Sequence, residues 1–294
     1  MHPMVMHLND RLEFATEADP ALSYCLWNYP RPAPASDKFR SINLLLHSFA
    51  LAGIDDRAFD IVEAMREGIG PFRTVYGVKF ADGRLGWEFY FYDYQRQQRV
   101  VNARRVLEAI RPWVRCQPAL AETLPYFMFS LDLDDAIARG DQPLDVIHMY
   151  VGNPGSAVSS GIAYGVREES TTLENFYFFF DARTELDQAM RKIESSAQVD
   201  LTRIGMDEIL LPELRDCRTI CIANKRTHDC VYYSGVDVAQ LLFFLDRMQY
   251  PSATRDFVAD NRERLDHLLF DVGVDYTTRD GRLVMPKSGY YGVF

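Results

Sequence analysis

The chain has 294 residues, 48% hydrophobic and 25% charged, enough for one large core or two modest ones. Acidic residues outnumber basic ones by 42 to 32, and the formal charge of -10 argues against a general nucleic-acid or membrane partner, though a local basic pocket could still hold a small anion. No apolar run is long enough to span a bilayer, MHPMVMHLND lacks the pattern of a signal peptide, and five cysteines stand at no disulfide-framework spacing, so reduced thiols and a cytoplasmic location are expected.

Residues 1–38 end in the proline-rich YPRPAPASDK and read as an N-terminal extended arm, with a single domain expected over 39–294. Two helices follow: Ile42, Leu45, Leu46 and Phe49 keep helical spacing, as do Ala58, Ile61, Val62 and Met65. From Arg73 the period switches to two. TVYGVKF and LGWEFYFYD read as strands around an Asp82-Gly83 turn, which sets Lys79 opposite Gly86, Gly77 opposite Glu88 and Val75 opposite Tyr90. One face then carries Tyr76, Val78, Trp87, Phe89 and Phe91, and the other Lys79, Glu88, Tyr90 and Tyr92.

The same division recurs along the chain. FMFSLDLD sets Phe127, Phe129 and Leu131 against Ser130 and Asp132, and DVIHMYVG sets Ile147 and Met149 against His148 and Tyr150. LENFYFFF sets Phe176, Phe178 and Phe180 against Asn175, Tyr177 and Phe179. In RTICIANKRTHDCVYY, Ile220 and Ile222 oppose Thr219, Cys221, Ala223, Cys230 and Tyr232, and in the last hairpin Lys287, Gly289 and Tyr291 share a face. Helical stripes lie between: Ala103, Val106, Leu107 and Ile110; Leu186, Ala189, Met190 and Ile193; Val238, Leu241, Leu242 and Leu245; and a further helix from Phe257 to Leu269. The second and third hairpins are joined by NPGSAVSSG, where no helix is expected.

About ten antiparallel strands in five hairpins must stack as two sheets or close on themselves. Each apolar strand face has a helix stripe available to cover it. The other face mixes Tyr, Asn, Lys, Glu, Asp and His, which suits the wall of a ligand-sized lumen. The expected fold is therefore α+β: a closed ten-stranded antiparallel barrel of five hairpins, surrounded by helices, with a central solvent-filled lumen. An open sheet with helices on one face is the alternative.

With hairpins inside and helices outside, the chain resembles the αββα-barrel (ABBA) soluble aromatic prenyltransferases of bacterial secondary metabolism. Lys287-Ser-Gly289-Tyr-Tyr291 is similar to that family's closing strand of Lys-x-Gly-x-Tyr, and Asn175-Phe-Tyr177-Phe to its Asn-x-Tyr-Phe. Glu88 resembles the position where magnesium-using members keep an aspartate. The resemblance implies a transferase that moves an allylic prenyl group from dimethylallyl or geranyl diphosphate to an aromatic or other nucleophilic acceptor. Lys79, Asn175, Arg167, Lys225 and Lys287 would hold the diphosphate, Tyr90, Tyr177, Tyr232 and Tyr291 would shield the allylic cation, and Glu88 would deprotonate the acceptor or hold a metal ion. Ser130, Asp132, His148, Tyr150 and Cys221 would face the acceptor, with Mg²⁺ a candidate ion at Glu88. Three places where the family keeps basic residues hold Val146, Thr171 and Cys230 instead, so the anion cradle is thin.

Structural roles compete with these. Lys79 and Lys287 also read as rim lysines beside turns, the tyrosines as packing residues, and Glu88 as the partner of Lys79 across the hairpin. Cys217, Cys221, His228 and Cys230 lie close in sequence, but an extended strand would hold the sulfurs of Cys217 and Cys221 too far apart for zinc. Asp132, Asp134 and Asp135 read as a solvated loop, and His47 as structural. The second functional class is a non-catalytic barrel that binds an apolar or aromatic small molecule. A third, a scaffold for a partner, would require a large exposed apolar patch.

Overall fold

The computed structural model describes residues 11–94, 101–119, 124–153, 156 and 158–294. Its first hairpin pairs β1 (Thr74–Ala81) with β2 (Arg84–Tyr92) in the register read from the sequence, with Val75 opposite Tyr90, Gly77 opposite Glu88 and Lys79 opposite Gly86. Asp82 and Gly83 both take positive φ, at 50° and 74°, the backbone of a two-residue turn whose twist matches that of the strands. Before the hairpin lie α1 (Ile42–Ala52) and α2 (Arg57–Ile69), and after it α3 (Ala103–Ile110).

The chain continues through β3 (Tyr126–Leu133), the one-turn α4 (Asp135–Ala138), β4 (Ile147–Gly152), β5 (Ser160–Val166) and β6 (Thr171–Asp181). Then come α5 (Leu186–Glu194), α6 (Met206–Ile209), β7 (Thr219–Asn224), β8 (Asp229–Val236), α7 (Val238–Arg247), α8 (Ser252–Asp260) and α9 (Arg262–Leu265). The last strands are β9 (Phe270–Arg279), β10 (Arg282–Val284) and β11 (Lys287–Val293).

Strands β1 to β9 and β11 pair antiparallel in a ring, which β8–β9 and β11–β1 close, and the short β10 is appended to the end of β9. The result is a closed ten-stranded barrel, so no barrel strand leaves its ladder groups open to aggregation. Outward-facing side chains such as Val78, Trp87, Phe89, Phe129, Ile147, Ile222, Val274 and Tyr290 form one core with the helix stripes. The buried sides of α1, α2 and α3 match the apolar spacing, and in α7 Phe244 joins Val238, Leu241 and Leu245 where Leu242 was expected.

Three expectations are corrected. Phe127 does not join Phe129 on the helix side: a bulge between Tyr126 and Met128 shifts the alternation, Tyr126 enters the outer core, and Phe127 lines the barrel interior. The stretch from Phe257 to Leu269 is not one helix but α8 and α9, broken at Asn261. Nor is every apolar strand face covered, since Leu173 and Phe176 on the outside of β6 are 51% and 38% exposed. Within NPGSAVSSG, residues 154, 155 and 157 lie outside those described, as do residues 1–10 of the arm. No helix among the described residues is long and apolar enough to cross a membrane.

Candidate functional site

Alternation delivers every second strand residue to the lumen. At one end the wall is polar. Lys79 and Glu88 enter from β1 and β2, Asp132 and His148 from β3 and β4, and Glu174 and Asn175 from β6. Lys225, just past β7, Asp275 from β9 and Lys287 from β11 complete it. The cavity here is about 140 Å³, and the side chains of Asp132 and Lys287 at its mouth are 44% and 37% exposed.

Four cations and four carboxylates interlock in this chamber. Lys79 Nζ contacts Glu88 and lies 2.9 Å from Asp132. Burial alone would drive this ammonium toward neutrality, but Asp132 and Glu88 outweigh it and hold Lys79 well above the lysine range. Burial likewise opposes ionisation of Asp132, and Lys79 and His148 reverse that, so its carboxyl titrates below the usual range. His148 sits between Glu174 (2.7 Å from Nδ1) and Asp132 (3.4 Å from Nε2). Against the penalty of burial these carboxylates raise it to about 10, so the ring is an imidazolium at neutral pH. Lys225 Nζ lies 2.7 Å from Asp275, whose other oxygen is 2.9 Å from His228 and 3.5 Å from Lys287. Burial again opposes the charge on Asp275, and Lys225 first among its neighbours pulls the carboxyl below its ordinary range.

At the other end the wall is aromatic and the mouth is closed by the chain's own N-terminal segment. A single 3₁₀ turn at Tyr24–Leu26, with Cys25 and Leu26 at positive φ, turns back into the barrel. The Tyr24 ring meets Tyr90, Tyr92 and Tyr291 edge-on, with centroids at 5.6, 5.9 and 5.8 Å. The Tyr24 amide donates to Asp271 (2.7 Å), the Cys25 amide to the Tyr92 hydroxyl (3.1 Å), and the Tyr94 hydroxyl to the Cys25 carbonyl (2.7 Å). Only about 50 Å³ stays free at this end. Between the two ends Tyr150, Tyr177, Tyr232 and Tyr291 line both cavities. Two of these rings lie over glycines: a Cβ on Gly77 would come within 2.6 Å of Tyr291, and one on Gly273 within 2.4 Å of Tyr232.

Of the residues singled out in the sequence, Lys79, Glu88, Tyr90, Asp132, His148, Tyr150, Asn175, Tyr177, Lys225, Tyr232, Lys287 and Tyr291 line the polar cavity together. Cys221 lines the aromatic one. Ser130 is buried behind the wall, bonded to Glu88 and 3.2 Å from the Tyr150 hydroxyl. Arg167 stands partly exposed, 3.8 Å from Glu174. The pairing of Lys79 with Glu88 across the hairpin is present. Cys217 belongs to the outer core, whereas Cys221 and Cys230 line different cavities.

Sequence reasoning missed Glu174, Asp271 and Asp275. Simple alternation from Asn175 turns Glu174 outward, but a bulge in the β5–β6 pairing sets Ala163 opposite Asn175 and Tyr164 opposite Leu173. Glu174 is the extra residue, which the bulge aims at His148. Asp271 and Asp275 had a signal: Asp271, Gly273 and Asp275 alternate with Val272, Val274 and Tyr276, a strand that begins at Phe270, five residues before the last hairpin was read to start.

No protein-family model matches the chain. A putative JmjC domain-containing protein of Acanthamoeba polyphaga mimivirus is 22% identical over 306 residues, 88% of this chain and 47% of that protein. The chain thus spans about half the length of the curated relative it matches. This similarity points away from the aromatic prenyltransferases, and the resemblance to them is corrected, together with prenyl transfer and secondary metabolism. The chamber supplies a physical reason. Lys79, Lys225 and Lys287, expected to cradle a diphosphate, each have a carboxylate within 3.5 Å. A strongly anionic group would meet neutralised cations and four facing carboxylates. Mg²⁺ at Glu88 is also unsupported: Lys79, Tyr90 and Ser130 occupy its oxygens, and no group of three His, Cys, Asp or Glu among the described residues is arranged to hold an ion.

Proposed function

We propose that the lumen binds an amphipathic small organic molecule, with its polar end among the charges at the open mouth and its flat apolar body along the tyrosine belt. The observation that carries this reading is the belt of Tyr150, Tyr177, Tyr232 and Tyr291, which lines both the polar and the aromatic cavity. A charge-balanced mouth favours a dipolar or weakly charged head group over a polyanion, because each lysine and carboxylate can trade part of its partner for the ligand. Five free cysteines and the acidic surface support a reducing, cytoplasmic setting with a small-molecule partner.

The name of the viral relative raises iron(II) and 2-oxoglutarate as cofactors. Non-haem iron of that kind is held by two histidines and one carboxylate with open positions. His148 is the histidine that lines the polar cavity among the described residues, and both its ring nitrogens are bound to carboxylates. The described residues do not fit that centre, and no step is drawn through it.

Calorimetric titration with tyramine, L-tyrosine and 4-hydroxyphenylacetate, one aromatic body with three head groups, tests the reading. Saturable binding of at least one is expected. Gly86→Trp should abolish it, since a Cβ at Gly86, on the inward face of β2, meets open space and the ring would fill the mouth without removing a charge. No binding in the series, or binding indifferent to Gly86→Trp, would overturn it.

A further inference from the structure

Of the 32 lysines and arginines in the chain only five are lysine, and three of those, Lys79, Lys225 and Lys287, line the polar cavity, where no arginine among the described residues does. An arginine would serve as well or better for structural ion pairs or for gripping an anion. Lysine differs in that its ammonium can give up a proton and become a nucleophile. The three lysines are not equivalent. Lys79 contacts two carboxylates and its side chain is 17% exposed, and Lys225 holds Asp275 at 2.7 Å and is 10% exposed. Among the described residues Lys287 has a single carboxylate contact, at 3.5 Å, to an Asp275 oxygen that also lies 2.9 Å from His228, and its side chain is 37% exposed toward the mouth.

We propose that Lys287 is a carbonyl-reactive amine, and that the lumen takes an aldehyde or ketone whose aromatic or apolar body lies on the tyrosine belt. The identity of that body rests on the small-molecule reading above; the assignment of the amine rests on the position of Lys287. Its surroundings favour the free amine. Lys79 first, then burial, then Lys225 lower its basicity, against weaker support from Asp275 and Glu88. These groups face it from β1, β2, β9 and the β7–β8 turn, and His228 draws on the same Asp275 oxygen.

The chemistry is balanced within the site. Lys287 releases one proton to solvent, and its nitrogen lone pair attacks the carbonyl carbon as the C=O π pair moves to oxygen. The nitrogen gives up a second proton, the oxygen takes up two protons, one of them returned by solvent, and leaves as water, and a protonated C=N bond remains. The step needs no oxidant or reductant, and hydrolysis reverses it. Tyr291, two turns of the pleat along the same strand, and Tyr232 supply flat faces next to the new bond.

The test uses the full chain at neutral pH with 4-hydroxybenzaldehyde and cyanoborohydride, which fixes an imine as a secondary amine, followed by peptide mass spectrometry. Each unit by which an amine's pKa falls raises its free fraction about tenfold. Lys287, whose basicity its neighbours lower, is therefore expected to be labelled severalfold faster than Lys38, which pairs with Asp266 outside the barrel. It should also outpace Lys192, 4.2 Å above the Phe178 ring, whose basicity is lowered by burial but opposed by Asp229. Lys287→Arg should lose the label and keep the wild-type melting temperature. Labelling of Lys287 no faster than Lys192 overturns the assignment, whatever the calorimetry with tyramine and its relatives shows. Selective labelling without any calorimetric binding would uphold the amine and remove the tyrosine-belt ligand.

Discussion

At the polar end of the lumen, Lys79, Lys225, Lys287 and His148 are held by Glu88, Asp132, Glu174 and Asp275, and the mouth opens to water. At the aromatic end the same strands contribute Tyr92, Met128, Phe127 and Cys221, and the chain's own Tyr24 and Cys25 fill the space. Charge networks are specific but carry a desolvation cost, so they stay open to a ligand that shares it. Aromatic packing gains from every contact and closes on whatever apolar group is nearest. One barrel thus keeps an exchangeable end and a sealed end, and the sealed end is filled by the N-terminal segment.

The polar end is most vulnerable where one carboxylate serves several cations. Asp275→Ala leaves Lys225 buried without its partner and is expected to cost about 3–5 kcal/mol in denaturant unfolding. Adding Lys225→Met should recover most of that loss. A single-variant cost near zero would mean that the chamber is wetter and less coupled than its distances imply.

Next in size is Asp271, at the sealed end. Burial pushes Asp271 up to about 6, against the amides of Tyr24 and Gly235 and the Ser234 hydroxyl, which favour its anion. An acid raised in the folded state is easier to bury protonated, so stability falls as pH rises from about 4 to about 6, by about 3 kcal/mol for a two-unit shift. Asp271→Asn should remove this decline and leave the difference from wild type flat below pH 4. A difference curve flat across the whole window would show that the aromatic end is hydrated.

Tyr24→Ala follows, at about 2 kcal/mol for an aromatic ring packed against Tyr90, Tyr92 and Tyr291. Trp27, in the same segment beneath Arg218, should shift its emission to the red if the segment lifts. An unshifted spectrum would mean that the seal does not depend on Tyr24.

How far each end was legible follows from the period-two rule. Where the ladder is regular, as in β1 and β2, alternation and the Asp82-Gly83 turn gave register and facing without error. Because alternation is local, it fails at a bulge, which is why Phe127 and Glu174 landed on the wrong faces. The polar residues stood out as exceptions among apolar neighbours. The plug did not, because Tyr24-Cys25-Leu26 has no periodicity and its place is set by contacts to Asp271 and Tyr92, 247 and 67 residues away. Of the paired cations Lys79 with Glu88 was legible across the hairpin, whereas the pairing of Lys225 and Lys287 with Asp275 was not. Lys287 and Lys79 look alike on the page and differ only in their partners across the barrel.

The smallest effect tests whether the bulge at Glu174 serves the polar end. His148, raised to about 10, contributes stability that is fully present below the unfolded value near 6.5 and is lost as pH climbs through about 10. Burial works against that charge, and the Asp132 and Glu174 contacts overcome it. Glu174→Gln keeps a hydrogen-bond acceptor and removes the charge, so the His148 titration followed by NMR should move down by about one unit, worth about 1 kcal/mol near pH 9. Arg167, 3.8 Å from Glu174, is partly exposed and its loss of a partner should add little. A His148 titration unchanged in Glu174→Gln would leave Asp132 as the sole anchor and deprive the bulge of its electrostatic purpose.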